Sequence, residues 1–314
     1  MIQSAEHRVT GTVRATADRV TLAIGAILVT SLALALGDAI IKQISGGFLL
    51  WQIFMLRSII AIPIVLGIAR ARHQTVSLVP AAPGWTALRS VMLALMWVAY
   101  YAALPHVPLS IAAAVFYTLP LFITLFAALF IGERVGVVGW LAVSLGFAGV
   151  LLILKPQGDD FNAHALLPLI SAVLYAFAMI LTRSKCRGED PLVLSLSLNV
   201  GFIAVGGLAT ALIMTLHGSW VDADANPFLF GPWTNMGMRE WLVMGFLAAV
   251  TTIGSVGTAI AYQNGPSSIV STFDFAYLAF AAFWGLVFFG ETPDAISLVG
   301  IILIAIAGIL SVRR

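Results

Sequence analysis

Apolar runs of about 20 residues recur along the whole chain, and they constrain its fold more than any other feature. Each run is long enough to cross the roughly 30 Å hydrocarbon layer of a membrane as a helix. Because that layer holds no water to bond exposed backbone groups, only helices and closed barrels can span it. The runs are continuous rather than alternating, and 61% of the 314 residues are hydrophobic. The sequence therefore predicts an all-α integral membrane protein embedded in a lipid bilayer.

Charged or Pro- and Gly-rich breaks divide the apolar sequence into ten predicted spans. Numbered as helices 1 to 10 in chain order, they cover residues 20–44, 48–69, 85–104, 108–131, 136–154, 164–182, 191–216, 240–262, 266–289 and 294–312. A polar tail, residues 1–19, precedes the first span. The first five spans form one predicted half, residues 20–155, and the last five form the other, residues 164–314.

Basic residues of the tails, the loops and the span ends are distributed unevenly between the two sides of the membrane. If the N-terminus is cytoplasmic, the cytoplasmic side holds Arg8, Arg14, Arg19, Arg70, Arg72, Arg89, Arg134, Arg183, Lys185, Arg187, Arg313 and Arg314. The opposite side then holds only Lys42, Lys155 and Arg239. Since cytoplasmic loops are enriched in Lys and Arg, this asymmetry predicts both termini in the cytoplasm. For a bacterial-type chain it predicts the inner membrane.

The fourth and ninth predicted spans end alike, with FIGERV at residues 130–135 and FFGETP at residues 288–293. A shift of 158 residues places residues 110–133 on residues 268–291 without a gap, and six residues are identical. Because each half has an odd number of spans, the halves must face opposite ways across the membrane. Inverted repeats of this kind recur in transporters, with the substrate site near the midplane where the halves meet.

Each repeated ending contains a Gly-Glu pair, which we interpret as a device for leaving the helix. Gly132 and Gly290 are expected in a left-handed turn, since no Cβ obstructs it. Glu133 and Glu291 are then expected at the start of the following helix, where the helix dipole favours an anion. The pair thus indicates inversion of the repeat rather than an active site.

Three stretches carry a resemblance to a known group of proteins. They are LPLFITLFAALFIGERV and GWLAVSLGFAGVLLIL in the first half and FFGETPDAISLVGIILIAIAGIL in the second. With them the chain resembles the EamA-type members of the drug/metabolite transporter superfamily, and its aromatic interior is most similar to YddG-type amino-acid exporters. The resemblance implies ten helices in two inverted five-helix repeats. Helix 9 has Leu278 where helix 4 has Pro120, so it lacks the residue that can kink helix 4.

Aromatic residues of helices 3, 4 and 6 are candidates for contact with a substrate. Trp97, Tyr100 and Tyr101 are spaced i, i+3 and i+4, so they share one broad face of helix 3. Helices 4 and 6 add Tyr117 and Tyr175. A buried tyrosine needs a partner for its hydroxyl, which a polar substrate or cavity water could supply. Ring packing, or a place in the interfacial aromatic belt, is the alternative interpretation.

Polar residues of helices 8 and 9 are candidates for the polar end of the substrate. Thr251, Ser255, Thr258 and Tyr262 are spaced by four, three and four residues, which aligns their hydroxyls in one stripe. Such a stripe lines a wet path, or its hydroxyls bond back to their own helix and to neighbouring helices. Asp274 has no obvious cationic partner on a neighbouring span; it could bond the helix 8 hydroxyls, hold a proton or receive a substrate ammonium group.

Two further charges lie within the predicted spans, at comparable depths of adjacent helices. Asp38 is in helix 1 and Arg57 in helix 2. A charge at a helix centre costs roughly 2.5 to 3.5 kcal/mol on insertion scales, so each should have a partner. We therefore predict a structural ion pair between Asp38 and Arg57, with Lys42 as the alternative partner of Asp38.

Other classes of function find little support in the sequence. The histidines fall in tails, loops or span ends, and Cys186 is the single cysteine, so we predict no metal site and no cofactor. The basic residues form no patch for nucleic acid. An intramembrane aspartyl protease could use Asp38 and Asp274, but Ala35 and Phe273 replace its expected glycine and tyrosine. A channel would need a filter-like segment, and none is found.

The sequence therefore predicts a secondary transporter and not an enzyme. We expect it to export small metabolites by alternating access through a central cavity between the repeats. An amino acid, aromatic or otherwise neutral, is the expected substrate, and another metabolite or a drug is the alternative. No obligate protein partner is evident.

Overall fold

The computed structural model describes residues 2–71, 78–126, 129, 136–154, 162–186, 188–216, 226–264 and 273–312. These residues form helices and connections, with no β-strand among them. The helices are α1 (Ile2–Ile44), α2 (Leu50–Ala71), α3 (Pro83–Ala103), α4 (Leu109–Phe116), α5 (Leu119–Phe126), α6 (Val137–Leu154), α7 (Leu166–Lys185), α8 (Pro191–Leu216), α9 (Pro227–Phe230), α10 (Met238–Asn264), α11 (Ala276–Phe289) and α12 (Ala295–Val312). One 3₁₀ turn (Ala163–Ala165) precedes α7.

Seven of the described helices are long and apolar enough to cross a membrane. They are α1 from Val20 onward, α2, α3, α6, α7, α8 and α10, while α11 and α12 are shorter apolar helices. Large apolar side chains such as Leu208 and Leu242 remain exposed on the outer faces of these helices, as expected where lipid replaces water. The chain is thus an all-α membrane protein, and the count of ten spans with cytoplasmic termini stays a prediction.

The fourth predicted span, residues 108–131, is divided at Tyr117 and Thr118 into α4 and α5. Pro120 follows this break and has no amide hydrogen for the helical hydrogen-bond ladder. At the break the Val115 carbonyl oxygen accepts from both the hydroxyl and the amide of Thr118, at 2.7 and 3.2 Å. Sequence anticipated a kink at this place, and the structure shows a full interruption of the helix.

The ninth span is interrupted at the equivalent place, although it has no proline there. Phe275, which corresponds to Tyr117 under the 158-residue shift, forms a turn before α11 begins at Ala276. The rings of Phe275 and Tyr117 have centroids 5.6 Å apart, so the two interruptions meet in the bundle. The repeat therefore preserves the break itself rather than the residue that causes it.

Helices α6 and α12 pack closely along each other through small residues. A Cβ placed on Gly149 would lie 2.8 Å from the Gly300 carbonyl oxygen, and one on Gly300 would lie 2.7 Å from the Gly149 carbonyl oxygen. Such an approach of two backbones is open only to glycine, and small residues are how membrane helices pack closely. These last helices of the two predicted halves thus form a tight seam.

The second Gly-Glu pair is only partly as predicted. Gly290 has φ +65° in the left-handed region and ends α11, which confirms the expected turn. Glu291 does not lie in the first turn of α12, which begins at Ala295. Its side chain instead accepts a hydrogen bond from the Leu109 amide at the start of α4, at 2.8 Å. Gly132 and Glu133 lie outside the described residues.

Replacing Gly149 with alanine should destabilise the fold, because the added methyl group would press on the backbone of α12. Overpacking of this kind costs about 1–3 kcal/mol. The apparent melting temperature of the purified protein in detergent should fall by several degrees. Gly245→Ala in α10 is the matched control, since its Cβ would meet nothing within 4 Å. An equal melting temperature for both variants would contradict the seam.

Candidate functional site

A cavity of about 420 Å³ lies between helices of the two predicted halves. It is lined by residues of α1, α2 and α3 from the first half and of α7, α8 and α10 from the second. We call the end of the bundle where α1 and α3 end the outer end, and the end where α3 and α8 begin the inner end. The lining extends from Asp38 and Arg57, in the outer part of the bundle, to Arg89 and Pro191 at the inner end.

Aromatic side chains form one wall of the cavity. Trp97, Tyr101 and Tyr175 line it, and the ring centroids of Trp97 and Tyr101 are 5.0 Å apart. Tyr100, predicted on the same face of α3, does not line the cavity and packs behind it, 5.3 Å from the Phe116 ring. Tyr100 and Tyr101 follow Trp97 by three and four residues and point in different directions around α3, and only Tyr101 reaches the cavity.

Asp38 is held at the deep end of the cavity by two tyrosine hydroxyls. Tyr101 donates to its Oδ1 at 3.2 Å, and Tyr277 from α11 donates to its Oδ2. Because the single hydroxyl hydrogen of Tyr277 is used there, Tyr100 must donate to the Tyr277 oxygen, 3.1 Å away. Asp38 is only 2% exposed, so these hydroxyl donors replace the water that its carboxylate would bind in solution.

Arg57 does not form the predicted ion pair with Asp38. Its Nη1 donates to the Tyr101 hydroxyl at 3.5 Å, and that hydroxyl donates to Asp38, so a tyrosine stands between the two charges. The guanidinium carbon lies 4.6 Å from the Phe202 ring centroid and 4.9 Å from that of Phe54. Aromatic faces therefore stabilise this buried cation in place of a carboxylate.

The predicted hydroxyl stripe of α10 lines the cavity, but its hydrogens point to protein. Thr251 donates to the Leu247 carbonyl oxygen at 2.8 Å, and Ser255 donates to that of Thr252 at 3.1 Å. Ser195 of α8 in turn donates to the Ser255 hydroxyl oxygen at 3.2 Å. Thr251 and Ser255 consequently offer the cavity lone pairs and not donors. The side chain of Tyr262 lies outside the described side chains.

Asp274 and Tyr117 were predicted to contact substrate, and neither lines the cavity. Asp274 accepts hydrogen bonds from Ser31 at 3.1 Å and from Tyr117 at 3.3 Å. The Tyr117 ring stacks on Tyr277 with centroids 5.1 Å apart. The two residues thus support the deep end of the cavity from behind, between α1, α4 and α11.

An ion pair lies at the outer end of the bundle. Lys42 Nζ lies 2.5 Å from Glu291 Oε1 and donates also to the Val107 carbonyl oxygen. Glu291 Oε2 accepts from the Leu109 amide at 2.8 Å. These contacts join the end of α1, the connection between α3 and α4, and the connection between α11 and α12. Lys42 is therefore engaged with Glu291 and not with Asp38.

Two histidines stack on the outer side of the same region. The ring centroids of His106 and His164 are 3.9 Å apart, and Asn162 donates to the His106 carbonyl oxygen at 2.7 Å. Burial, and then the neighbouring His164, lower the pKa of His106. The described residues include no group of three or more His, Cys, Asp or Glu that could hold a metal ion.

Three residues of the site were missed by the sequence analysis. Arg89 was counted as a cytoplasmic charge, yet it is within α3, lines the cavity and donates through Nε to Thr182 at 2.7 Å. Ser195 also lines the cavity, and Tyr277 holds Asp38. The spacing of Tyr277, three residues after Asp274 in the same predicted span, was the available signal for a shared polar face.

Comparison with known proteins gives two matches to one family model. The model describes the EamA-like transporter family and matches residues 21–155 and again residues 163–313. A solved crystal structure superposes with a TM-score of 0.59 at 20% identity, covering 93% of this chain and 96% of its own. That likeness supports the fold alone.

Several curated proteins are similar in sequence. A pseudopaline exporter of Pseudomonas aeruginosa is 30% identical over 89% of this chain and 92% of its own. A riboflavin transporter of Rhizobium johnstonii is 34% identical over 73% of this chain and 70% of its own. An S-adenosylmethionine uptake transporter of Rickettsia bellii is 22% identical over 80% of this chain and 78% of its own. These relatives are transporters and not enzymes, and with both matched stretches they show that the chain belongs to the EamA-like transporter family, within the drug/metabolite transporter superfamily.

Proposed function

We propose that this chain exports small, amino-acid-like metabolites across a bacterial inner membrane by alternating access. In this proposal the two five-span halves, residues 20–155 and 164–314, rock about the cavity between them. The family makes the chain a small-molecule transporter. The geometry of the cavity supports the proposed mechanism, the direction of transport and the class of substrate.

The observation that supports alternating access is a difference between the two ends of the bundle, in how far the cavity lining extends and in the contacts that join the connections. The lining extends to Arg89 and Pro191 at the inner end. At the outer end Glu291 binds both Lys42 and the Leu109 amide, and these contacts join three parts of the chain. A carrier needs one end closed at a time, whereas a channel needs a continuous pore. With the predicted orientation, this state would load substrate from the cytoplasm, which supports export.

The lining supports an amino-acid-like substrate. Trp97 and Tyr175 give an aromatic wall for an apolar side chain, and Thr251 and Ser255 present lone pairs that accept from a substrate N–H. A volume of about 420 Å³ lies within the range of small-molecule sites. The named cargoes of the relatives differ from one another, so another metabolite or a drug is the alternative for this chain.

Reconstitution into proteoliposomes tests the function directly. A panel of labelled amino acids, riboflavin and S-adenosylmethionine should be assayed for counterflow, with and without a proton gradient. We expect saturable flux of at least one amino acid. Saturable flux of riboflavin or S-adenosylmethionine alone would replace the amino-acid proposal by the alternative, and single-channel conductance would overturn the carrier mechanism.

Glu291→Gln should open the outer end more often, because it removes the charge that binds Lys42. Loss of a charge-assisted hydrogen bond of about 1.5 kcal/mol corresponds to roughly a tenfold change in population. The measurement is labelling of Ile41→Cys, which lines the cavity, by a membrane-impermeant thiol reagent added outside intact cells. Cys186→Ala provides a background without other thiols. We expect about tenfold faster labelling.

Two further variants make the outer-end experiment specific. Lys42→Glu combined with Glu291→Lys reverses the ion pair, so it should bring the labelling rate part of the way back to that of the chain with the native pair. Glu189→Gln removes a carboxylate at the inner end, where it accepts from the Ala81 and Ala82 amides at 3.1 and 2.7 Å. This change should not speed outside labelling. Equal labelling of wild type and Glu291→Gln would contradict the proposed closure.

Trp97→Ala should weaken substrate binding, because it removes an aromatic wall of the cavity. A lost aromatic contact of about 1.5 kcal/mol corresponds to roughly a tenfold rise in KM for flux. Trp140→Ala is the matched control, since Trp140 is 47% exposed on α6 and does not line the cavity. Equal KM values for the two variants would show that the substrate binds elsewhere.

A further inference from the structure

Two arginine side chains line the cavity, and each has a donor without an acceptor in the part of the chain that the structure describes. These donors are Arg57 Nε and Arg89 Nη1, which are both buried and have no hydrogen-bond partner among the described residues. Within the described side chains, the Lys42–Glu291 contact is the one ion pair with a nitrogen–oxygen distance of 4.0 Å or less. Neither arginine is therefore neutralised by direct contact with a carboxylate in that part of the chain.

The surroundings of Arg57 stabilise its charge without using its donors. Phe202 and Phe54 lie 4.6 and 4.9 Å from the guanidinium carbon, measured to their ring centroids, and Tyr101 lies 5.6 Å away. Aromatic rings attract the positive charge of a guanidinium, but they do not accept the N–H groups that point outward in the guanidinium plane. The Tyr101 hydroxyl accepts only one long bond, at 3.5 Å. Arg57 is 3% exposed, so its remaining donors have little access to bulk solvent.

The balance of charge along the lining favours an anion. The lining includes Arg57 and Arg89 but, among carboxylates, only Asp38. Both Asp38 oxygens already accept tyrosine hydroxyls, from Tyr101 and Tyr277. A buried charged donor left without an acceptor is costly, and charges within membrane spans normally have partners. An acidic group has two oxygens that match the planar fork of a guanidinium.

From these contacts we propose that the cargo of this transporter carries an acidic group, a carboxylate or a phosphate, which Arg57 binds at the deep end of the cavity. The inference rests on the proposed function, because it takes the cavity to be the transport site. Arg89 is twelve residues before Tyr101 on α3, which places it about 18 Å nearer the inner end. One small acidic group cannot contact both arginines, so Arg89 meets the entering anion and Arg57 holds it.

The remaining lining defines the rest of the cargo. Trp97 and Tyr175 contact an apolar or aromatic body between the two arginines. The lone pairs of Thr251 and Ser255 accept from N–H groups on the face opposite α3. The cavity therefore suits a molecule with an acid at its leading end, an apolar body and at least one N–H donor. An amino acid or an N-acylated amino acid has this arrangement, and an organic cation does not.

A set of probes that differ in charge tests the inference on the full chain in lipid nanodiscs. At pH 7, N-acetyl-L-phenylalanine is an anion, L-phenylalanine a zwitterion and L-phenylalaninamide a cation, while phenyl phosphate offers the second acidic group. The dissociation constant of each is obtained from the rise in melting temperature with concentration. We expect the better of the two anions to bind on the order of 10- to 100-fold more tightly than the amide. The better anion identifies the acidic group as carboxylate or phosphate.

Variants of Arg57 assign the preference to this side chain. Arg57→Gln should reduce the ratio of anion to amide affinity to near one, which general loss of stability would not do. Arg57→Lys keeps the charge but loses the planar fork, so it should retain an intermediate ratio, and it serves where Arg57→Gln does not fold. Arg239→Gln removes an exposed cation outside the cavity and should leave the ratio unchanged.

The outcomes separate this inference from the function on which it rests. Equal binding of anion and amide, no binding of either anion, or an unchanged ratio in both Arg57 variants would overturn the inference. Flux of a cationic substrate that is insensitive to Arg57 would do so as well, while leaving the transporter function intact. Anion binding that depends on Arg57, in a protein with no flux of any panel member, would support the site and overturn the proposed export of amino-acid-like metabolites.

Discussion

The geometry of the site depends on how a single carboxylate is kept inside a membrane protein. Asp38 is buried and has no ion pair among the described residues, so it depends on hydroxyls that two other helices bring to it. Tyr101 comes from the first half of the chain and Tyr277 from the second. The carboxylate therefore fixes α3 and α11 relative to α1, and through Tyr101 it also fixes the position of Arg57. Removal of any member leaves another buried polar group without its partner.

Hydropathy predicted much of the scaffold because it measures which segments must leave water. It could not predict where a helix is interrupted without a proline, as at Phe275, because no residue type there marks the break, and its neighbour Tyr117 is distant in sequence. Helical spacing brought Trp97 and Tyr101 to the cavity but could not fix the rotation of α3, so Tyr100 was assigned to the wrong side.

Charges were the least predictable part of the site. Opposite charges at similar depth suggested direct contact between Asp38 and Arg57, but a tyrosine and two phenyl rings occupy the space around the cation. Sequence separation hides such neighbours, since Phe202 lies in the other half of the chain. Arg89 was assigned by its sequence to the membrane surface, because a charge near a span end is usually a topological signal. Only the fold shows that it faces inward.

The family fixes the scaffold, and in the proposed function the lining of the cavity selects the cargo. The relatives are a pseudopaline exporter, a riboflavin transporter and an S-adenosylmethionine uptake transporter, so related chains carry chemically different molecules. Function therefore has to be sought in individual side chains that face the cavity. In this chain those side chains combine aromatic walls, acceptor oxygens and guanidinium donors.

Helix α4 gives the closed outer end a mechanical connection to the cavity. Its eight residues form a rod about 12 Å long, whose first amide is bound by Glu291. At its other end Phe116 contacts the ring of Tyr175, which lines the cavity, with centroids 5.9 Å apart. The helix break after Phe116 separates this rod from α5. In the proposed alternating access, release of the Leu109 hydrogen bond would therefore act on the aromatic wall about two turns below it, which would couple the outer end to the shape of the cavity.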